Sequence, residues 1–276
     1  MRKHISSLQN ELIKFTYSLQ SKSRIRKKEG LFVVEGVREI SLALESGYQF
    51  RYLLVCEETA TDADIMQLEG LIPATDNAEK PVNEWVAISS RVYQHLAHRK
   101  TTEGIIGIAL SKNRTLKDLS FGENPLILVA EASEKPGNIG ALLRTADAAN
   151  LDAVIIANPR TDLYNPNIIR SSVGCVFTQN VITASSDEII SYLKKKRIAI
   201  LAAALKDKSI PYFSANFKGA TAIVLGTEDT GLSNTWLDQA DEVIKIPMEG
   251  KIDSLNVSVS GAILIFEAKR QRAWSK

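Results

Sequence analysis

IPMEGKIDSLNVSVSGAILIFEA, residues 246–268, is the stretch around which the chain is best read. An apolar strand end (Val243, Ile244, Ile246) enters a loop holding Pro247, Gly250, Ser254 and Asn256. The loop then becomes a long helix of small and apolar residues. A polar loop between a buried strand and a buried helix is a poor way to build a core and a usual way to build a site. Two earlier segments share this layout: EASEKPGNIGALLRTADAAN, residues 131–150, and AIVLGTEDTGLS, residues 222–233.

Around these loops, PLILVA, DAVIIA, IAILAAA, AIVLG and EVIKI read as nearly continuous apolar strands, and GALLRTADAAN, DEIISYLKKK and the final stretch as helices. Apolar strands alternating with helices predict an α/β fold whose parallel sheet is covered on both faces. Ligands of such sheets lie beyond the carboxyl ends of the strands, where all three loops fall. Residues 124–276 are therefore expected to form one domain.

Residues 1–112 predict a smaller α/β unit. Ile5, Leu8, Leu12, Phe15 and Leu19 are spaced for an amphipathic helix over residues 4–20. LFVVEG, RYLLVC, EWVAIS and GIIGIA read as strands, VREISLALESG as a helix ended by Gly47, and SRVYQHLA as a short helix capped by Ser90. Residues 58–83 are acidic and weakly patterned. The polar, charged residues 113–123 read as a linker.

The chain has 276 residues, 45% hydrophobic and 24% charged, with a net charge of +2. That composition suits a globular protein with a sizeable core and shows no overall polyanion-binding signature. Charge is concentrated at the start: Arg2, Lys3, Lys14, Lys22, Arg24, Arg26, Lys27 and Lys28 face one acid, Glu11, within residues 1–28. The run Lys22, Arg24, Arg26, Lys27 and Lys28 reads either as a solvated loop or as a contact for nucleic-acid phosphates. Cys56 and Cys175 form neither a disulfide framework nor a zinc pattern. No apolar run reaches the ~18 residues of a membrane span, and the basic start lacks the apolar core of a signal peptide. The expectation is a cytoplasmic protein with no membrane association and no metal.

In the first loop, Gly137 or Asn138 can open a helix whose free N–H groups suit an anion or polar ligand. Arg144 follows within two turns, as a surface arginine or as part of a pocket. In the second, Gly226 and Gly231 permit close backbone approach, and Glu228 can accept hydrogen bonds or cap the next helix. In the third, Ser254 and Asn256 flank Leu255; an extended loop would point both polar groups one way and Leu255 the other. Either could instead be only a helix cap. The segment NPNIIRSSVGCVF, residues 165–177, adds Arg170, Ser171 and Ser172 near Gly174. GxGxxG and GxxxxGK[ST] are both absent, which argues against a nicotinamide-dependent oxidoreductase or a phosphate-binding P-loop.

In this order the segments resemble the SpoU (TrmH-type) RNA 2′-O-ribose methyltransferases of the SPOUT class. The motifs are Asn138-Ile-Gly140-Ala-Leu-Leu-Arg144-Thr-Ala146, then Leu225-Gly226-Thr-Glu228-Asp-Thr-Gly231-Leu232-Ser233, then Ile246-Pro247-Met248-x-Gly250 with Ser254-Leu255-Asn256-Val257-Ser258. The N-terminal unit, through FVVEGVREI and TTEGIIGIA, is similar to the L30e-like substrate-binding domain of many members. The resemblance implies a deep trefoil knot in the C-terminal domain, an exception to the rule against knots. It also implies an S-adenosylmethionine site formed by Leu225, Gly226, Ile246, Met248 and Leu255, and a homodimer with the site near its interface. Arg144, Asn138, Glu228, Ser254 and Asn256 would serve catalysis, and Lys22, Arg24, Arg26, Lys27 and Lys28 would contact RNA. The implied substrate is ribosomal RNA; a transfer-RNA methyltransferase and a non-catalytic RNA-binding or ribosome-assembly factor are the alternatives.

Overall fold

The structure, a computed structural model, describes residues 3–72, 84–98, 103–227, 229–252 and 254–273. Strands are β1 Lys3–Ile5, β2 Leu31–Glu35, β3 Phe50–Val55, β4 Glu84–Ile88, β5 Ile105–Leu110, β6 Leu126–Glu131, β7 Ala153–Ala157, β8 Val181–Ala184, β9 Ala199–Ala203, β10 Ile210–Pro211, β11 Thr221–Leu225 and β12 Glu242–Lys245. Helices are α1 Glu11–Ser21, α2 Ser23–Glu29, α3 Val37–Glu45, α4 Asp62–Leu71, α5 Ser90–Leu96, α6 Pro136–Ala148, α7 Pro166–Ser171, α8 Cys175–Thr178, α9 Ser186–Lys195, α10 Asn234–Gln239 and α11 Val257–Ala273. They form two compact units: Met1–Asn113 with Asp162–Thr178, and Arg114–Thr161 with Gln179–Lys276.

The first unit holds a mixed five-stranded sheet in the order β1-β4-β3-β5-β2. Strand β5 runs antiparallel to β2 and β3, while β4 runs parallel to β1 and β3. Val33, Leu54, Val86 and Ile106 pack with Ile13 and Leu19 of α1 and with Val92 and Leu96 of α5.

Several expectations change here. Residues 4–20 are not one helix: Ile5 pairs with Ile88 in the sheet, and α1 begins only after Asn10, whose side chain accepts from the Leu12 N–H at 2.9 Å. A local hydrophobic period does not register that long-range pairing. The weakly patterned acidic stretch contains α4, opened by a Thr61–Asp64 capping box. Ser89, not Ser90, caps α5, accepting from the Val92 N–H at 3.4 Å.

Residues 162–178 were expected in the C-terminal domain and instead pack in the first unit. Tyr164 stacks on Phe32 with centroids 4.1 Å apart, and Phe177 meets Tyr48 edge-on at 5.0 Å. The segment 113–123 is more than a linker. It holds a 3-10 turn at Leu116–Asp118, and Leu119 is buried in the second unit's core with Phe121 packed against it.

The second unit is built on a seven-stranded sheet in the order β10-β12-β9-β11-β6-β7-β8, with every pairing parallel. This is the expected parallel α/β architecture; β8 and the two-residue β10 were not anticipated. Ile127, Val129, Ile155, Ile200 and Val224 form the core with the fully buried Trp236. On the other face α6 packs on α11. Gly261 makes their contact possible, since a Cβ there would lie 2.6 Å from Leu142 Cδ2. Among the described residues no helix is long and apolar enough to cross a membrane.

Candidate functional site

The carboxyl ends of β9, β11 and β12 open into a cavity of about 520 Å³. Leu225 and Gly226 line it from β11, Ile246 and Met248 from the chain after β12, and Ser254 and Leu255 from the approach to α11. The structure thus brings all five residues of the expected cofactor set to one cavity. Residues 203–206 after β9 and 229–232 complete the wall. They were missed because an alanine-rich strand end carries no polar signal.

Gly226 is required by its neighbours. A Cβ there would come within 2.2 Å of the Gly231 carbonyl carbon and 2.4 Å of its oxygen, so any side chain would collide with backbone. Two reciprocal N–H···O bonds of 3.1 Å between Thr227 and Gly231 close the loop, and Gly231 takes the left-handed conformation with φ 68°.

The loop is anchored by Glu131 at the end of β6. Its carboxylate is buried and accepts from the Ser233 N–H at 2.8 Å and the Ser233 hydroxyl at 2.7 Å. The Ser186 hydroxyl donates to Glu131 at 3.5 Å and itself accepts from Trp236 Nε1 and from Asn158 Nδ2, each at 2.9 Å. A buried carboxylate persists only with such donors. Glu131 therefore fixes where the Gly226 loop ends. The available signal was an acid closing an otherwise apolar strand, LILVAE.

A smaller cavity of about 130 Å³ adjoins Gly226 and Thr227 and is lined by Lys135, Asn138, Arg160 and Val257. Asn256 Nδ2 donates to Asn138 Oδ1 at 3.2 Å, so the first and third motifs meet. The Asn256 oxygen also accepts from the Ser258 N–H at 2.9 Å and from its hydroxyl at 2.6 Å. Asn256 is thus both a cap for α11 and a tie to α6.

Arg144 behaves differently. It is exposed on α6 and lines neither cavity. Glu228, the remaining member of the expected catalytic set, lies outside the described residues.

The basic run also divides. It forms α2, closed by Gly30 in the left-handed conformation, and Lys22, Arg24, Lys27 and Lys28 are exposed. Arg26 is buried: Nε donates to Asp162 Oδ1 at 2.9 Å and Nη2 to Oδ2 at 2.5 Å, while Nη1 donates to the Leu19 and Gln20 carbonyls. A guanidinium with its donors so engaged cannot reach a phosphate. Arg26 is corrected to a structural residue.

The geometry can be set beside known proteins. Residues 125–266 match the family model described as the SpoU rRNA methylase family, and residues 10–107 match one described as an MRM3-like substrate binding domain. A solved RNA 2′-O ribose methyltransferase is 36% identical with a TM-score of 0.81, over 98% of this chain and 99% of that one. The SpoU methyltransferase AviRb from Streptomyces viridochromogenes, in complex with AdoMet, is 26% identical with a TM-score of 0.86, over 96% and 99%. The 23S rRNA (guanosine(2553)-2′-O)-methyltransferase RlmP of Bacillus subtilis is 26% identical over 267 residues, 97% of this chain and 99% of that protein.

Proposed function

Because this chain belongs to the SpoU rRNA methylase family, we propose that it is an S-adenosylmethionine-dependent enzyme that methylates a ribose 2′-hydroxyl in ribosomal RNA. The observation that carries this reading is the cavity at the carboxyl ends of β9, β11 and β12, walled by the second and third motifs. Its volume suits a small-molecule site. Leu225, Ile246, Met248 and Leu255 offer apolar contact for a purine, and the bare backbone at Gly226 admits close approach. The cofactor, when bound, supplies a methyl group on a sulfonium.

The chain's own groups must then position a weak nucleophile and ease the loss of its proton. Asn138, Asn256 and Ser254 are the polar groups nearest to that task, and Glu228 is assigned to it by motif position. A guanidinium has a pKa above about 12 and is a poor base. Arg144 accordingly acts by charge, stabilising the developing alkoxide and gripping an adjacent phosphate.

Its exposure, away from both cavities of its own chain, supports a homodimer in which Arg144 serves the partner's site. An apolar stripe on α11 supports the same reading. Val259 is 47% and Phe266 52% exposed, with half-buried Ile263 between them, at helical spacing on the helix that packs on α6. Phe266→Asp should turn the dimer into a monomer in sedimentation analysis; an unchanged mass would remove the interface.

The reading includes the trefoil knot, supported by the strand order β12-β9-β11-β6 and by two chain-distant loops sharing one cavity. The N-terminal unit, L30e-like in this reading, is the RNA-selecting part, supported by its match to a substrate binding domain and by exposed Lys22, Arg24, Lys27 and Lys28. Ribosomal RNA is preferred over transfer RNA because relatives aligned over nearly the whole chain act on 23S rRNA. A cytoplasmic location follows from that substrate.

The test combines calorimetry with S-adenosylmethionine and transfer of a labelled methyl group to 23S rRNA and, separately, to bulk tRNA. Cofactor binding with 2′-O-methylation of rRNA is expected. Methylation of tRNA alone would redirect the substrate, and absence of cofactor binding would leave a non-catalytic RNA-binding factor.

A further inference from the structure

Helix α1 buries Ile13, Thr16 and Leu19. Tyr17 lies off that face and is 51% exposed. Its ring stacks on the exposed ring of His95 in α5, with centroids 5.3 Å apart and planes 22° from parallel. Beside the pair, Gln20 Nε2 donates to the Leu96 carbonyl at 2.7 Å and fixes the α1–α5 seam. The stack is therefore held in place without being buried. Core packing does not account for it, since an aromatic side chain that only sealed the seam would gain more by turning inward.

The charges around it have one sign. Lys14 is one turn before Tyr17 on α1 and Arg91 one turn before His95 on α5, both exposed. Among the described residues neither makes an ion pair. Helix α5 has no acid, and the single acid of α1, Glu11, is its first residue. Two free cations on one flank of a rigid, half-exposed pair of rings match a single-stranded nucleic acid, which offers a flat base beside its phosphates.

We infer that the Tyr17–His95 pair is a stacking platform for an unpaired base of the RNA substrate, with Lys14 and Arg91 taking the adjoining phosphates. This rests on the reading that the chain acts on RNA, and it identifies the recognised element as a single-stranded loop rather than a duplex.

The full-length protein should be titrated with a 15-nucleotide single-stranded RNA of mixed sequence carrying 2-aminopurine, with a duplex of the same sequence, and with 23S rRNA. Tyr17→Ala should weaken single-strand binding about tenfold, leave its salt dependence unchanged and abolish the quenching of 2-aminopurine that stacking causes. Tyr17→Phe should bind as the wild type, and circular dichroism of both variants should match it. Lys14→Gln with Arg91→Gln should lower affinity and flatten the salt dependence by about 1.4 in slope. In the methyl-transfer assay, Tyr17→Ala should raise KM for 23S rRNA and leave the affinity for S-adenosylmethionine unchanged.

If Tyr17→Ala binds single strands within twofold of the wild type, or if the duplex binds as well as the single strand, the platform is wrong and the methyltransferase reading stands. If the wild-type protein binds none of the three RNAs, both fall. RNA binding that follows these expectations without any methyl transfer keeps the platform and removes the enzyme.

Discussion

The residues expected to hold a cofactor and those expected to act on the ribose come from the same three loops, yet the chain treats the two sets differently. Leu225, Gly226, Ile246, Met248 and Leu255 converge on one cavity within a single unit, locked by backbone contacts and by Glu131. Of the second set, Asn138 and Asn256 join by a hydrogen bond, while Arg144 stands on an exposed helix face. A pocket for a small molecule must be complete before binding, because binding energy is lost if the protein has to assemble it. A group that acts on a large substrate can be completed by the substrate or by a second subunit. The contrast is therefore between a site finished by folding and one finished by association.

The largest effect should come from breaking the finished half. Gly226→Val places a branched side chain where even a Cβ meets Gly231 backbone. Calorimetry should detect no S-adenosylmethionine binding, and methyl transfer should vanish. Near-normal affinity would mean that the Gly226 loop is not part of the cofactor site.

The unfinished half predicts a split. Arg144→Ala should leave cofactor affinity within about twofold and lower the methyl-transfer rate by about 10²–10³, the scale for removing a group that stabilises developing charge. Mixing it with Gly226→Val sharpens the comparison. Neither variant works alone, but a mixed dimer pairs an intact pocket on one protomer with an intact Arg144 on the other. Recovery of activity on mixing shows action across the interface. No recovery, with mixed dimers verified by tagged co-purification, places Arg144 in its own chain's site.

Glu131 tests whether the pocket depends on its anchor. In Glu131→Gln one amide oxygen replaces two carboxylate oxygens, and an NH₂ group faces the Ser186 and Ser233 donors. A buried unsatisfied donor costs about 1–3 kcal/mol. The expected result is roughly tenfold weaker cofactor binding with a lowered Tm. A lowered Tm with unchanged affinity would make Glu131 a folding residue only.

How much of this was readable follows from how local each determinant is. The parallel sheet and the cofactor loops were legible because a covered strand needs a continuous apolar run and a backbone turned at a strand end needs glycine, as at Gly226. The fate of residues 162–178 was not. Their partners Phe32, Tyr48 and Arg26 lie more than a hundred positions earlier, and no local pattern reports that Tyr164 will stack on Phe32. A cut near residue 113 would strip that segment of its packing, so point variants are the better way to separate the two functions. The role of Arg144 was unreadable for another reason: a residue completed by association leaves no trace of its partner in its own neighbourhood.

The smallest expected effect separates two kinds of cation within one run. Arg26 and Lys27 are adjacent, and composition treats them alike. Arg26 is held by Asp162, 136 positions away, and by two carbonyls of its own segment; Lys27 and Lys28 are exposed. If exposed cations of the first unit meet RNA phosphates, Lys27→Gln with Lys28→Gln should weaken binding to 23S rRNA several-fold at moderate salt and lower the slope of log K against log salt by about 1.5. Tm and cofactor affinity should not move, because surface substitutions without partners change stability little. An unchanged slope would take α2 out of the RNA interface. The phosphate contacts would then fall to Lys14 and Arg91 beside the Tyr17–His95 stack, the other place where this unit offers free cations next to an aromatic surface.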